Sequence, residues 1–335
     1  MKYLTDYETK AAYDAVKKDL PKPQIALVRD DYKVHFKPNK HDYSQDYLTI
    51  VAKENGTIMF RYYWESYEGD NTSMSYSVND GNWVTTQYEG GKEIYVNVSN
   101  GDKVRWKGIN NTLTYDTGEG LDNSYFSCDF EFDVEGNIMS LLYGDNFTDK
   151  VTLTKRAALG AIFRDNEKFT SAKNLILPAT SLSSSAYCET FSGCTSLTET
   201  PELPATTLAD GCYHGMFAGC TSLTEAPQLP ATMLAERCYQ EMFRDCTSLT
   251  EAPELLATTL TNWCYYGMFY GCNRLNYIKC LATNISASNC TYIWVDSVAS
   301  SGTFIRDVNT SWSTGDSGIP YGWDVEPPLP YTPVT

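Results

Sequence analysis

The residues of this 335-residue chain that could do chemistry are 11 cysteines, three histidines and 42 carboxylates. Four cysteines, Cys194, Cys220, Cys246 and Cys272, stand 26 residues apart, and Cys212, Cys238 and Cys264 repeat at the same step. Thiols in this number could form disulfides, bind a metal or act as nucleophiles. The first four, however, open the phrases CTSLTETPELPAT, CTSLTEAPQLPAT, CTSLTEAPELLAT and CNRLNYIKCLAT, so they mark an internal repeat. Stacked repeats would bring equivalent cysteines to about 5 Å, within disulfide reach. Pairing along a ladder of identical sites would be ambiguous, whereas the flanking Leu, Met and Phe suit a small buried hydrophobe. Buried, unbridged thiols are the expectation.

No Cys-x-x-Cys pair, metal-spaced histidine cluster, Gly-x-Ser-x-Gly elbow or phosphate loop is present. His35 and His41 lie close together, with His214 far along the chain. Cys188 and Cys194, or Cys212 and Cys220, lack the close pairing of a zinc site. No catalytic set, metal or cofactor is expected, and the chain reads as non-enzymatic. Two carboxylates meeting in space for glycoside hydrolysis is the enzymatic reading that sequence leaves open. A second ladder, Glu199, Glu225 and Glu251, recurs at the 26-residue step beside Glu202, Gln228 and Glu254. It reads as a solvated edge, with cation binding as the alternative.

The element that positions these residues is the repeat. A fixed period in the twenties is the mark of a solenoid, in which each copy buries its apolar face against its neighbours. Within Cys-Tyr-x-x-Met-Phe-x-x-Cys, the residues Cys212, Met216, Phe217 and Cys220 fall at i, i+4, i+5 and i+8. That spacing predicts an inward stripe on a short helix, extended by Leu197, Leu223, Leu249 and Leu275. Pro201, Pro227 and Pro253 predict short or irregular strands on the opposite side. The first copy is atypical, with Asn166 where cysteine would stand.

Other positions vary between copies. Asp210-Gly211 becomes Glu236-Arg237 and then Asn262-Trp263; His214 becomes Gln240 and Tyr266; Ala218 becomes Arg244 and Tyr270. Their phase predicts an outer face. A constant frame with a varied face suits recognition, and relaxed constraint on any exposed face would leave the same pattern. The candidate receptor-facing residues are Trp263, Tyr266 and Tyr270, with Arg237 and Arg244.

Three regions are expected. In residues 1–40, Thr5 and Glu8 predict a capped helix through Ala11, Ala12, Ala15 and Val16. Two strands follow, with Leu27 on one and Tyr32, Val34 and Phe36 on one face of the other. One helix and one hairpin bury little, so this segment either packs on the next domain or docks to a partner, and these four residues are the docking candidates. Residues 41–128 hold six or seven short strands, a small antiparallel sandwich. There Trp64, Trp83 and Trp106 read as core, or as a sugar platform. Residues 129–335 hold the repeats and their caps, with Asn137–Leu142 as a first rung strand.

The formal net charge of −16 argues against nucleic acid as partner. Residues 1–40 nevertheless carry nine basic and six acidic residues. No apolar stretch of membrane-spanning length and no secretory h-region is present, so neither a signal peptide nor a membrane span is expected.

The phrase F-x-x-C-T-S-L-T-x-x-P-x-L-P-A-T resembles the BspA-type leucine-rich repeats of bacterial surface proteins over roughly residues 135–290. The resemblance implies a curved β-solenoid and a role in adhesion. This chain departs from it by the proline in the strand segment and by one extra residue before the Leu-Pro. The segment YLTDYETKAAYDAVKKDLPKPQIALVRDDYKVHFKP is similar to leader segments on structural proteins of Bacteroidales phages, including crAss-like ones. That similarity implies attachment to a virion. The combined expectation is a mainly β protein with short helices: an N-terminal helix–hairpin anchor, an antiparallel β-sandwich-like domain and a C-terminal leucine-rich-repeat solenoid. Its expected function is that of a virion-associated head-fibre or tail-fibre component, a homo-oligomer with a trimer preferred. Its partners would be other virion proteins and a host surface glycan or protein. The alternative is a bacterial surface or secreted adhesin, and the third reading is a carbohydrate-active enzyme.

Overall fold

The computed structural model describes residues 4–7, 24–28, 33–37, 43–63, 73–87, 91–110, 113–116 and 121–328. Nearly all regular structure among them is β. The chain divides into two compact units, Met1–Gln45 and Asp46–Thr335.

In the first unit, β1 (Leu4–Tyr7) pairs in parallel with β2 (Gln24–Val28), which pairs antiparallel with β3 (Lys33–Lys37). Thr5 therefore lies in a strand and does not cap a helix, correcting the expectation at that position. The hairpin register sets Leu27 opposite Val34 and Ile25 opposite Phe36. Tyr32 and the span expected to be helical, residues 8–23, lie outside the described residues.

The second unit begins with β4 (Leu48–Ala52), β5 (Gly56–Arg61), β6 (Ser73–Val78), β7 (Val84–Gln87), β8 (Glu93–Val98) and β9 (Lys103–Ile109). Alternation decides which face each strand buries. Ile94, Val96 and Val98 of β8 point inward, as do Val104 and Trp106 of β9, with exposed or half-buried residues between them. A short ribbon, β10 (Thr114–Asp116) with β11 (Leu121–Asn123), precedes β12 (Tyr125–Cys128), β13 (Phe132–Asn137) and β14 (Phe169–Ile176). One sheet has the order β12-β5-β8 and the other β14-β13-β4-β9-β6-β7. Phe60 and Phe126 of the first meet Trp106 of the second at ring-centroid distances of 6.0 and 5.0 Å, so the sheets bury a shared aromatic core.

Among the described strands of residues 41–128 all pairings are antiparallel, and the larger sheet becomes mixed only beyond them, where β13 runs antiparallel to β4 and parallel to β14. One expectation is corrected here. Asn137–Leu142 is not a strand: β13 ends at Asn137, and Ser140–Tyr143 forms a single helical turn, α1. The Asn137 side chain accepts from the Met139 N–H at 2.9 Å, turning the chain out of the sheet. Ser140 Oγ then accepts from Leu48 N–H and donates to the Trp106 carbonyl, both at 2.9 Å, which ties the turn to the sheet end.

From about Arg156 onward the 26-residue copies lie one on another. Tyr187, Tyr213 and Tyr239 donate their N–H groups to the carbonyls of Cys212, Cys238 and Cys264 in the following copy, at 2.9, 3.0 and 3.1 Å. Alternate residues bond within their own copy. Cys212, His214, Met216 and Ala218 donate to the carbonyls of Ala209, Gly211, Tyr213 and Gly215, three residues back. An α-helix would need these groups for bonds four residues back, so the expected short helix is replaced by a chain of overlapping turns. Every fourth residue, such as Gly211, Gly215 and Gly219 at φ 59°, 58° and 75°, takes the left-handed conformation these turns require. The local period is thus four rather than 3.6, close enough for the predicted inner and outer faces to hold.

The inner face consists of columns. Phe126, Phe163, Phe191, Phe217, Phe243 and Phe269 stack ring on ring at 5.4–5.9 Å, carrying the sheet core directly into the copies. Tyr187, Tyr213, Tyr239 and Tyr265 form a parallel column that ends on Trp294. All eleven cysteines are buried and none forms a disulfide, as expected. Each Phe carbonyl has two lone pairs, and those of Phe163, Phe191, Phe217 and Phe243 use both. Phe191 O accepts from Cys194 N–H at 3.2 Å in its own copy and from the Cys220 thiol at 3.1 Å in the next. Cys246 and Cys272 repeat the contact at 3.1 and 3.0 Å. Asn166 occupies the cysteine position in the first copy because its neighbour there is strand β12. Its amide donates to Phe126 O at 2.7 Å and accepts from Cys128 N–H at 3.2 Å, whereas a thiol is a weak donor and a weak acceptor on a single atom.

Opposite these turns, the prolines leave only isolated parallel bridges, such as Ser181 with Thr207 and Glu251 with Tyr277. Past the last repeat proline, a regular parallel sheet forms from β15 (Tyr277–Cys280), β16 (Thr303–Arg306) and β17 (Asp324–Glu326). No helix among the described residues is long and apolar enough to cross a membrane.

Candidate functional site

The overlapping turns put residues 26 apart into columns on the outside as well. One outer column reads Cys188, His214, Gln240, Tyr266 and Tyr292, and a second reads Ser192, Ala218, Arg244, Tyr270 and Asp296. A third, at the left-handed position, reads Ser185, Gly211, Arg237, Trp263 and Asn289. The five residues singled out from sequence lie on these columns and form two groups, Arg237 with Trp263 and Tyr266, and Arg244 with Tyr270. Trp263 and Tyr266 lie 5.1 Å apart, and Tyr266 stacks on Tyr292 of the next copy at 5.6 Å. Arg237 stands 6.0 Å from the Trp263 ring and Arg244 5.2 Å from the Tyr270 ring. Trp263, Tyr266 and Tyr270 are half-buried, and Tyr292 is 49% exposed.

Acidic neighbours fix both arginines. Arg237 pairs with Glu236 at 2.9 Å, and Arg244 with Glu241 at 3.1 Å and Asp245 at 3.4 Å. These pairs are exposed and add little stability, but they hold the guanidinium planes beside the rings. Trp263 has φ 60°, an unusual conformation for a bulky side chain, at the position glycine holds in the copy of Gly211. Its N–H bonds to Ser288 O at 3.1 Å, and the Asn262 side chain accepts from Ser288 N–H at 3.0 Å, so the backbone beneath the aromatic group is anchored on both sides. Sequence comparison of the copies missed Tyr292, because its copy has lost the repeat phrase; the 26-residue step alone would have found it.

The acidic ladder lies on the proline side. Lys173 and Ser171, each bonded to Glu199 at 2.8 Å, hold that carboxyl below the usual carboxylate range. Glu225 and Glu251 line an open groove of about 420 Å³ with Gln228 and Pro253. Among the described residues, the ladder does not bring three ligand atoms together; Cys188, Glu189 and His214 do, within 4.8 Å of one another. Sequence spacing disguised that group, since His214 lies 26 residues from Cys188.

In the sheets, Trp106 is fully buried and belongs to the core. Trp83 is half-buried against Tyr47, with Lys107 4.2 Å from its ring, and Trp64 lies outside the described residues. No family model, curated protein or solved structure matches this chain.

Proposed function

We propose that the chain is a non-enzymatic recognition protein whose stacked copies form a BspA-like leucine-rich-repeat solenoid and present an aromatic ridge to a host surface glycan or protein. The observation that carries this reading is the ridge itself. Trp263, Tyr266 and Tyr292 form a continuous aromatic surface across two copies, edged by Arg237, with the Arg244–Tyr270 pair on a further outer column, on a face whose residues change while the interior stays constant. Large, rigid aromatics and arginine supply contact area at low entropic cost, as binding hot spots require.

The setting we propose is a virion of a Bacteroidales phage, as a head-fibre or tail-fibre component. Residues 1–40 would attach to other virion proteins or trimerise. The similarity of that segment to phage leader segments supports this, as does its positive charge on an otherwise acidic chain. Removing residues 1–40 should then leave a soluble monomer.

The ridge is tested with the fluorescently labelled full chain on Bacteroidales cells, by flow cytometry. Replacing Trp263 by Gly together with Tyr266 and Tyr270 by Ala should cut cell binding by more than about tenfold, while the melting temperature stays near that of the parent. Unchanged binding would remove the ridge from the reading. Mass spectrometry of purified virions tests the setting, and absence of the chain from particles would favour the bacterial adhesin instead.

A further inference from the structure

The outer column that carries Tyr266 and Tyr292 begins with Cys188 and His214, two soft metal ligands one copy apart. Cys188 Sγ lies 3.6 Å from His214 Nδ1. On a tetrahedral zinc, a thiolate at about 2.3 Å and an imidazole nitrogen at about 2.0–2.1 Å are themselves about 3.5–3.6 Å apart. The two side chains therefore already stand at the separation that a shared zinc imposes. Glu189 supplies a third ligand atom, all three within 4.8 Å of one another.

Each part of this arrangement follows from the turns. Glu189 takes the left-handed position at φ 54°, and the next residue in its column is Gly215. A Cβ at Gly215 would lie 3.2 Å from Glu189 Cγ, so glycine there leaves room for the Glu189 side chain beside His214. Arg164 holds Glu189 Oε2 at 2.6 Å, which leaves the other oxygen to face an ion. A ligating carboxylate is ordinarily oriented by such an outer partner. Cys188 is 6% exposed, whereas His214 and Glu189 are half-buried, so a fourth position would open toward solvent.

Two copies further on, the same three positions hold Gln240, Glu241 and Tyr266, and Glu241 again lies over a glycine, Gly267, at 3.1 Å. The frame is repeated but the sulfur and imidazole are not. The cysteine–histidine pair thus belongs to the second and third copies alone among those that carry this frame.

We propose that Cys188, Glu189 and His214 form a zinc-class metal site that joins two successive copies, with solvent at the fourth position. The site goes beyond the recognition reading and does not depend on it.

The test uses the full chain stripped with EDTA and titrated with Co(II), then Zn(II). One equivalent of Co(II) should produce a thiolate-to-cobalt charge-transfer band and the visible bands of four-coordinate cobalt, all lost when one equivalent of Zn(II) is added. Cys188→Ser should abolish the charge-transfer band. His214→Gln, which copies the residue its own column carries at Gln240, should weaken Co(II) binding by more than the about 10–100-fold that loss of an outer-shell partner costs. Zn(II) should raise the melting temperature of the parent and leave that of His214→Gln unmoved, since only a ligand bound to the folded state stabilises it. Absence of a charge-transfer band in the parent, or a band that persists in Cys188→Ser, would overturn the proposal.

Discussion

The sheet region and the repeat stack share one hydrophobic core but satisfy their backbones differently. In the sheets, nearly every strand finds a partner elsewhere within residues 48–137, as Ser73–Val78 does with Lys103–Ile109. In the stack, every second N–H of the turns goes to the following copy, and the Phe163, Phe191, Phe217 and Phe243 carbonyls each take a thiol from the copy after. A copy is therefore incomplete without its neighbour. What this difference teaches is that the stack constrains its interior column by column, and so leaves the outer columns free to vary. The aromatic ridge and the cysteine–histidine pair both occupy an outer column.

The comparison breaks most severely if a column is interrupted. Phe217 is fully buried and stacks on Phe191 and Phe243 at 5.4 and 5.8 Å. Phe217→Ala should cost about 3–5 kcal/mol in urea denaturation. A loss below about 1 kcal/mol would show that the copies do not lean on one another.

The joint between the two regions gives the next effect. Asn166→Cys restores the repeat residue yet should destabilise by about 1–3 kcal/mol, because Cys128 N–H loses its Asn166 acceptor in a buried setting. A neutral result would mean that the joint tolerates the repeat pattern and that Asn166 is incidental.

Alkaline pH separates the buried thiols, most of them in the stack, from the buried tyrosines, which both regions hold. Burial pushes the Cys212, Cys264, Cys272 and Cys280 thiols from 9.0 to about 12. In the sheets, burial raises the Tyr62 hydroxyl from 10.0 to about 12. A folded-state pKa raised above the unfolded one means that the native state holds the proton more tightly. The stability it contributes is complete below the unfolded pKa and is lost as pH climbs through the folded value. Melting temperature should hold to pH 9 and fall between pH 9 and 12, set by the stack thiols. An onset delayed to pH 10 would assign the loss to tyrosines instead.

The smallest effect on stability belongs to the outer column. Trp263→Gly relieves a left-handed backbone that costs a non-glycine residue about 1–2 kcal/mol, and it removes a half-buried ring. The two terms oppose, so stability should move by less than about 1 kcal/mol by urea denaturation. A larger loss would make the ridge part of the frame.

Much of this was legible in the chain. The 26-residue step, the buried thiols, the irregular proline side and the membership of the outer face all follow from spacing and side-chain type. The outer face was placed correctly although the element beneath it was not, because a four-residue turn period and a 3.6-residue helix put the same residues outward. Other features were hidden. Thr5 looks like a helix cap and lies in a strand, since local capping chemistry is overridden when a parallel partner such as Gln24–Val28 takes up the backbone. Ser140 reads as part of a strand, yet its hydroxyl is bonded to two backbones distant in sequence.

The sequence by itself determined which residues are frame and which are face, because burial selects for constant apolar side chains wherever a period repeats. Only the tertiary structure decided which face residues touch. Trp263, Tyr266 and Tyr292 become one ridge, and Cys188 and His214 become neighbours, because inter-copy hydrogen bonds set copies one backbone spacing apart. That distance is a property of the stack, and no stretch of 26 residues contains it.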